Sequence, residues 1–327
     1  MSEILCNITV GIQHVQQALP MTQTTALHAY RCKVSGQPVL TVWLKYRAPY
    51  HWPSMLGFLA ARSIVGIEVT QAGVYRRTVR LGTRQGMVEC RPARGRCLAL
   101  SVYGLPRQVL PGLIARVRRV FDLDADPGLI ERQLAQDPLM AQLIAARPGL
   151  RVPRGWDAFE QVMRTVLGQQ ISVAGAMTLA GRLVVRHGQP LLAPLAIEPR
   201  LTHVFPVAQA IADGDLSGLG MPGSRAATLS GMALAMLADP RLLRADGDLQ
   251  TWVQRLCRQR GIGPWSAQYL ALRQLGAADA FPLGDVALVK ALRMLEGAAV
   301  PLAERAPAWR PWRAYAAQHL WASLAGA

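Results

Sequence analysis

The segment from Leu256 to Lys290, LCRQRGIGPWSAQYLALRQLGAADAFPLGDVALVK, constrains the fold more than any other part of the chain. Upstream, Leu249, Trp252, Val253 and Leu256 recur at helical spacing, and downstream Ala267, Leu270, Ala271 and Gln274 keep the same period. Between the two patterns stand Gly261, Ile262 and Gly263, followed by Pro264. Glycine permits positive φ and close backbone approach, and proline fits the first position of a helix, where no N–H is needed. The sequence therefore predicts two helices joined by a tight corner, with the N-terminal amides of the second helix open to an anion. Arg255, Arg258 and Arg260 add positive charge to the corner. Taken alone, the corner equally fits an ordinary helix turn closed by a glycine cap.

Asp285 precedes the apolar run VALVKALRML, the place of a helix N-cap. Capping does not preclude chemistry. A carboxylate fixed at a helix N-terminus is favoured as an anion by the helix dipole, and an anion held in place suits a developing cation.

The charge balance fits a polyanionic partner. The chain has 36 Lys+Arg against 20 Asp+Glu, a formal charge of +16, and such an excess is the electrostatic footprint of nucleic-acid binding. Lys33, Lys45 and Lys290 are its lysines, so the excess is almost all arginine, which a GC-rich genome would also produce. The cysteines Cys6, Cys32, Cys90, Cys97 and Cys257 are odd in number and include no CxxC pair, which implies a reducing compartment. The first residues lack a basic and then apolar leader, and no run of about 18 apolar residues occurs. A cytoplasmic protein of bacterial type, associated with the nucleoid and without membrane contact, is the expectation.

Residues 1–36 are a polar lead of no assigned role. From Val39 the pattern turns to strands: VLTVWLKY, VYRRTVRL, MVECRPA and RCLALSVYG. A helix opened by Ser54 as N-cap interrupts them, and a second runs from about Pro106 to Val120. This gives a small α+β domain over residues 37–122. From Asp126 apolar residues at helical spacing continue to the end, giving an all-α domain over 123–327.

Several of these segments, in one order, resemble the helix-hairpin-helix DNA glycosylase superfamily. The likeness is closest to its alkylation-repair branch, the 3-methyladenine DNA glycosylase II type. They are PYHWPSMLGFLAARSI (49–64), FDLDADP (121–127), ARPGLRVPRGWDAFEQVMRTVLGQQISVA (146–174), LGMPGSRAATL (219–229), the hairpin with its acid, and PWRAYAAQHLW (311–321). The resemblance implies a TATA-binding-protein-like α+β domain followed by an all-α helix-hairpin-helix glycosylase domain. It also implies an enzyme that excises alkylated, cationic bases such as 3-methyladenine from double-stranded DNA by hydrolysing the N-glycosidic bond. Base excision repair is its setting, and a monomer is expected. Two alternatives stay open: a glycosylase for deaminated or oxidised bases, and a non-catalytic helix-hairpin-helix DNA-binding protein.

By the same resemblance Asp285 is the catalytic aspartate, which stabilises the sugar cation electrostatically or activates water, and Arg260, Gly261, Ile262, Gly263 and Ser266 form the DNA-binding hairpin. Gln170, in the motif Gly168–Ser172, is the wedge that fills the hole left by an extruded base. Trp265, Tyr269, Trp321 and Phe58 form the base pocket, where ring faces attract a cationic base. Trp52, Trp156, Trp252, Trp309 and Trp312 are left to packing or surface. Strand-nicking members of the superfamily carry a lysine at the position of Trp265, so no lyase step is expected. No cysteine follows Cys257, so no iron–sulfur cluster is expected either. No metal is implied with certainty, although backbone carbonyls of Cys257, Gln259 and Ile262 are candidates for a sodium or potassium ion. Three positions depart from the family pattern: Arg260 replaces a proline, Gln170 replaces the leucine of some relatives, and Val286 replaces a tyrosine.

Overall fold

The computed structural model describes residues 24–31, 38–192, 198–297 and 301–324. Among these, six strands form one antiparallel sheet: β1 (Thr24–Arg31), β2 (Pro38–Lys45), β3 (Glu68–Gln71), β4 (Val74–Leu81), β5 (Arg84–Ala93) and β6 (Cys97–Tyr103). Their spatial order is β1-β2-β6-β5-β4-β3. The register runs from Val39↔Tyr103 to Lys45↔Cys97 between β2 and β6, and from Met87↔Tyr103 to Ala93↔Cys97 between β5 and β6.

Period-two alternation explains which face is buried. Leu40, Val42 and Leu44 of β2 and Leu98, Leu100 and Val102 of β6 join one core with Met55 and Leu59 of α1 (Trp52–Ala61) and Leu113 and Val117 of α2 (Leu110–Val120). The opposite face carries a smaller cluster of Val39, Val69, Met87 and Tyr103, closed by Leu201 from the helical part of the chain.

The structure corrects two expectations here and adds one detail. Thr24–Arg31, inside the polar lead, is an edge strand paired to β2; residues 1–23 and 32–36 of that lead lie outside the described residues. The first α-helix is capped by His51, whose Nδ1 accepts from the Ser54 N–H at 3.2 Å, so Ser54 lies inside the helix. The helical part is not wholly helical. It contains a short strand pair, β7 (Gln189–Pro190) with β8 (His203–Val204), and a bridge from Leu201 to Gly66 that ties this loop to the sheet domain.

The remaining helices are α3 (Pro127–Leu134), α4 (Pro138–Ala146), α5 (Ala158–Leu167), α6 (Val173–His187), α7 (Ala208–Ala212), α8 (Gly223–Ala238), α9 (Leu249–Cys257), α10 (Pro264–Leu270), α11 (Val286–Glu296), α12 (Leu302–Arg305) and α13 (Arg313–Leu324). Side chains of Asp126, Asp137, Asp157, Ser172, Asp248 and Asp285 cap six of them. One apolar core built around Val162, Met163, Val166, Leu183, Leu256 and Leu270 holds the bundle together.

Charge joins the two halves. Arg77 of β4 meets Glu160 of α5 at 2.7 Å, and Arg164 of α5 meets Glu68 of β3 at 2.5 Å and Glu160 at 2.7 Å. Tyr75 donates to Glu68 at 2.6 Å. Burial pushes the Glu160 carboxyl up, but the guanidinium groups of Arg77 and Arg164 outweigh it and bring the pKa down to about 2. No helix among the described residues is long and apolar enough to cross a membrane.

Candidate active site

The hairpin is built from α9, a short turn and α10. Gly261 stands at φ +82°, and a Cβ there would collide with the Thr228 side chain, so this position requires glycine. Gly263 differs: it is extended, caps α10, and a Cβ on it would meet open space. Ile262, 3% exposed, anchors the turn in the core. Arg258 and Arg260 are exposed, whereas Arg255 is paired with Asp246 at 2.7 Å and does not add its charge to the corner. The Gln259 carbonyl accepts from the Ile262 N–H at 3.1 Å, which leaves that oxygen a second lone pair. Among the described residues no group of three His, Cys, Asp or Glu side chains is placed to hold a metal.

Ser266, expected at the DNA face, has a buried side chain that receives Gln169 Nε2 at 3.0 Å. The same nitrogen donates to the Gly261 carbonyl at 2.9 Å, and Arg225 donates to the Gln169 carbonyl at 2.5 Å. Gln169 thus brackets the Gly168–Ser172 loop to the hairpin, a role the sequence reading missed while naming its neighbour. Gln170 itself is exposed and sits at φ +56°, which few residues other than glycine adopt. A strained, exposed side chain beside a cleft is a usual mark of a functional position.

Asp285 is the N-cap of α11 and is 9% exposed. Its Oδ1 accepts from the Leu288 N–H at 2.9 Å and from Trp321 Nε1 at 3.0 Å, and its Oδ2 accepts from Trp265 Nε1 at 3.0 Å. Backbone and two indoles therefore fix both oxygens. Trp265 stacks on Tyr269 with centroids 5.2 Å apart and planes 10° apart, and Tyr269 meets Trp321 edge to face at 6.1 Å.

These groups line one cavity of about 1240 Å³ between the sheet domain and the helices. Asp285, Trp265, Tyr269, Trp321, Phe58, Gln170, Gly261, Gly263 and Ser266 all reach it; Arg260 and Ile262 do not. Of the tryptophans left to packing, Trp252 and Trp309 are buried in the helical core, while Trp156, 5% exposed, also lines the cavity.

Two arginines in this cavity were not anticipated. Beyond Leu270 the helix widens into a π-type turn over Ala271–Leu275, ended by Gly276 at φ +75°. Such turns recur at functional sites, and this one carries Arg273, 2% exposed, against the aromatic cluster. Arg62, the C-cap of α1, stands over Phe58. Burial would raise the Tyr269 phenol, but the charges of Arg273 and Arg62 outweigh it and hold its pKa below the ordinary tyrosine value.

Residues 41–157 match the AlkA N-terminal domain family model. The chain is 39% identical over 314 residues to the "Probable bifunctional transcriptional activator/DNA repair enzyme AlkA" of Mycobacterium tuberculosis, covering 92% of this chain and 61% of that protein. It therefore spans about three fifths of the length of that relative. It is 35% identical over 283 residues to DNA-3-methyladenine glycosylase 2 of Escherichia coli, covering 85% of this chain and 95% of that protein. In fold it is similar to the 3-methyladenine DNA glycosylase of Archaeoglobus fulgidus, with a TM-score of 0.73 and 20% identity over 85% of this chain and 96% of that one.

Proposed function

The chain belongs to the AlkA-type DNA-3-methyladenine glycosylase family, and from that membership we propose that it hydrolyses the N-glycosidic bond of alkylated bases in duplex DNA. One observation carries the reading: Asp285, fixed by two indole N–H groups and its own helix, faces an aromatic cavity that the hairpin also lines.

The physics follows from that placement. Hairpin amides and the exposed Arg258 and Arg260 hold phosphate without reading sequence. The lesion nucleotide turns out of the stack into the cavity, and Gln170 fills the gap, its amide hydrogen-bonding the widowed base. As the C1′–N bond breaks, its electron pair stays with the base and the sugar becomes an oxocarbenium ion. Asp285 stabilises that cation, and water then adds to C1′ and loses a proton. An alkylated cationic base leaves as a neutral molecule, so one carboxylate suffices where most glycoside hydrolases need a pair.

The cavity lining includes no lysine among the described residues, and Lys290 lies exposed on α11 outside it. This supports a monofunctional enzyme. We also propose a monomer in the cytoplasm, no iron–sulfur cluster, and a sodium or potassium ion held by hairpin carbonyls of Cys257, Gln259 and Ile262.

The test is incubation with methylated duplex DNA. Expected are free methylated base, an intact abasic strand and no covalent adduct on borohydride reduction. No base release refutes the enzyme reading, and a trapped adduct refutes the monofunctional one.

A further inference from the structure

Phe58 carries two guanidinium groups over its ring, Arg62 with Cζ 4.0 Å from the centroid and Arg273 with Cζ at 4.4 Å. Arg273 Cζ also lies 5.0 Å from the Trp321 centroid and 5.4 Å from that of Tyr269. The aromatic cluster expected to receive a cationic base therefore already holds cations of the protein itself.

These two arginines, like Arg225, which donates to the Gln169 carbonyl, differ from three others lining the cavity. Arg77 and Arg164 are paired with Glu68 and Glu160, and Arg154 with Asp122. Among the described residues neither Arg62 nor Arg273 forms an ion pair with a carboxylate. Arg273 Nη1 donates to neutral acceptors, the Pro153 carbonyl at 2.9 Å and Gln318 Oε1 at 3.0 Å, and its buried Nε has no partner. Arginine stays protonated in proteins, and no carboxylate touches this guanidinium directly, Asp285 acting on it from a distance. Trp321 joins the two ends of the field: its N–H binds Asp285, and its ring lies beside Arg273.

Resting on the reading of this cavity as a base pocket, we propose that Arg62 and Arg273 form a positive wall that assists the leaving base and contributes to kcat/KM on neutral lesion bases but hardly at all on cationic ones.

The sign follows from the charges. When the C1′–N bond breaks, its electron pair goes to the base and one unit of positive charge appears on the sugar. A cationic base passes from +1 to 0 and a neutral base from 0 to −1. The base becomes more negative by one unit in both cases, so a positive wall lowers both barriers from the bound state by similar amounts. Entry differs. A neutral base enters without a charge penalty, so the wall raises kcat and kcat/KM together. A cationic base is repelled on entry by about as much as its later loss of charge is favoured, so kcat rises, binding weakens and kcat/KM hardly moves.

The experiment is single-turnover release of 7-methylguanine (cationic) and hypoxanthine (neutral) from otherwise identical duplexes. Wild type is compared with Arg62→Met, Arg62→Lys and Arg273→Gln, with half-saturation measured beside the rate. For Arg62→Met the maximal rate falls about tenfold on both bases, ~1.4 kcal/mol. On hypoxanthine the ratio of rate to half-saturation falls with it. On 7-methylguanine binding tightens instead, and that ratio stays within about threefold, roughly 0.65 kcal/mol. Arg62→Lys restores the wild-type pattern. Arg273→Gln repeats the Arg62→Met pattern, but because Arg273 also binds Pro153 and Gln318, Arg62→Met alone decides if Arg273→Gln does not fold. Parallel losses in that ratio on both bases make the arginines structural and overturn the proposal. Release of 7-methylguanine but not hypoxanthine by wild type also overturns it. Wild type that releases neither base refutes the base-pocket reading itself, which sets that failure apart.

Discussion

Asp285→Asn separates cap from catalyst. Asn caps helices as well as Asp does, so α11 and the fold survive. At the site, Oδ1 keeps the Leu288 N–H and the Trp321 indole, but the amide nitrogen replaces Oδ2 and faces Trp265 Nε1, donor against donor. That mismatch moves Trp265 at a cost of about 1–3 kcal/mol. The larger loss is the charge. A carboxylate about 4 Å from an oxocarbenium carbon, at an effective dielectric of about 20, is worth about 4 kcal/mol. Sugar motion and water reduce this, so a loss of at least ~2.7 kcal/mol, a hundredfold in rate, is expected. The assay is single-turnover release from methylated duplex, with DNA affinity and melting temperature measured alongside. Release by the folded Asn variant within tenfold of wild type would refute the electrostatic role and leave Asp285 as a cap.

Two further predictions concern the frame around the site. A Cβ at Gly263 meets no protein atom and the position needs no unusual φ, so Gly263→Val should fold; it should weaken binding to damaged and undamaged duplex alike, about tenfold at ~0.1 M salt, with log Kd rising as log salt rises. Loss of excision with unchanged affinity for undamaged DNA would instead move the hairpin into the pocket. Glu160→Gln removes one of the two carboxylates that Arg77 and Arg164 share, Glu68 being the other, and should destabilise the protein by about 3 kcal/mol at pH 7. The folded pKa is depressed from 4.5 to about 2, so this contribution is full above pH 4.5 and lost as pH falls through about 2. Melting curves of the two proteins should converge across that window; a constant gap refutes the assignment.

Some of this was legible in residues and some was not. Alternation marked β2, β4, β5 and β6, and Asp285 announced its helix, because burial and capping act on sequence locally. The edge strand TTALHAYR was hidden, since it is recruited by backbone pairing and its residue pattern did not mark it. The hairpin and Asp285 could be found by motif, and the pocket aromatics through the family resemblance. Arg273 could not, because ALRQL keeps the apolar pattern of an ordinary helix, and nothing in that pattern marks a widening that turns an arginine inward. Arg62 likewise reads as a helix-end arginine facing water. The bracket made by Gln169 depends on partners 92 and 97 residues away.

The two indoles do unequal work on Asp285, and this yields the last prediction. Oδ1 has two donors, the Leu288 N–H and Trp321 Nε1, so removing the Trp321 N–H leaves that oxygen held by its helix. Oδ2 has one protein donor among the described residues, Trp265 Nε1, so removing that N–H leaves the outer oxygen without a protein partner. Phenylalanine keeps an aromatic ring at either place and deletes only the donor. Trp265→Phe should therefore slow base release about tenfold, ~1.4 kcal/mol, near the low end for a hydrogen bond to a charged group. Trp321→Phe should slow it about threefold, roughly 0.65 kcal/mol. Affinity for undamaged duplex should stay within about twofold in both, roughly 0.4 kcal/mol, because neither N–H touches phosphate. Equal losses, or a larger loss for Trp321→Phe, would mean that the rings rather than their N–H groups position the carboxylate.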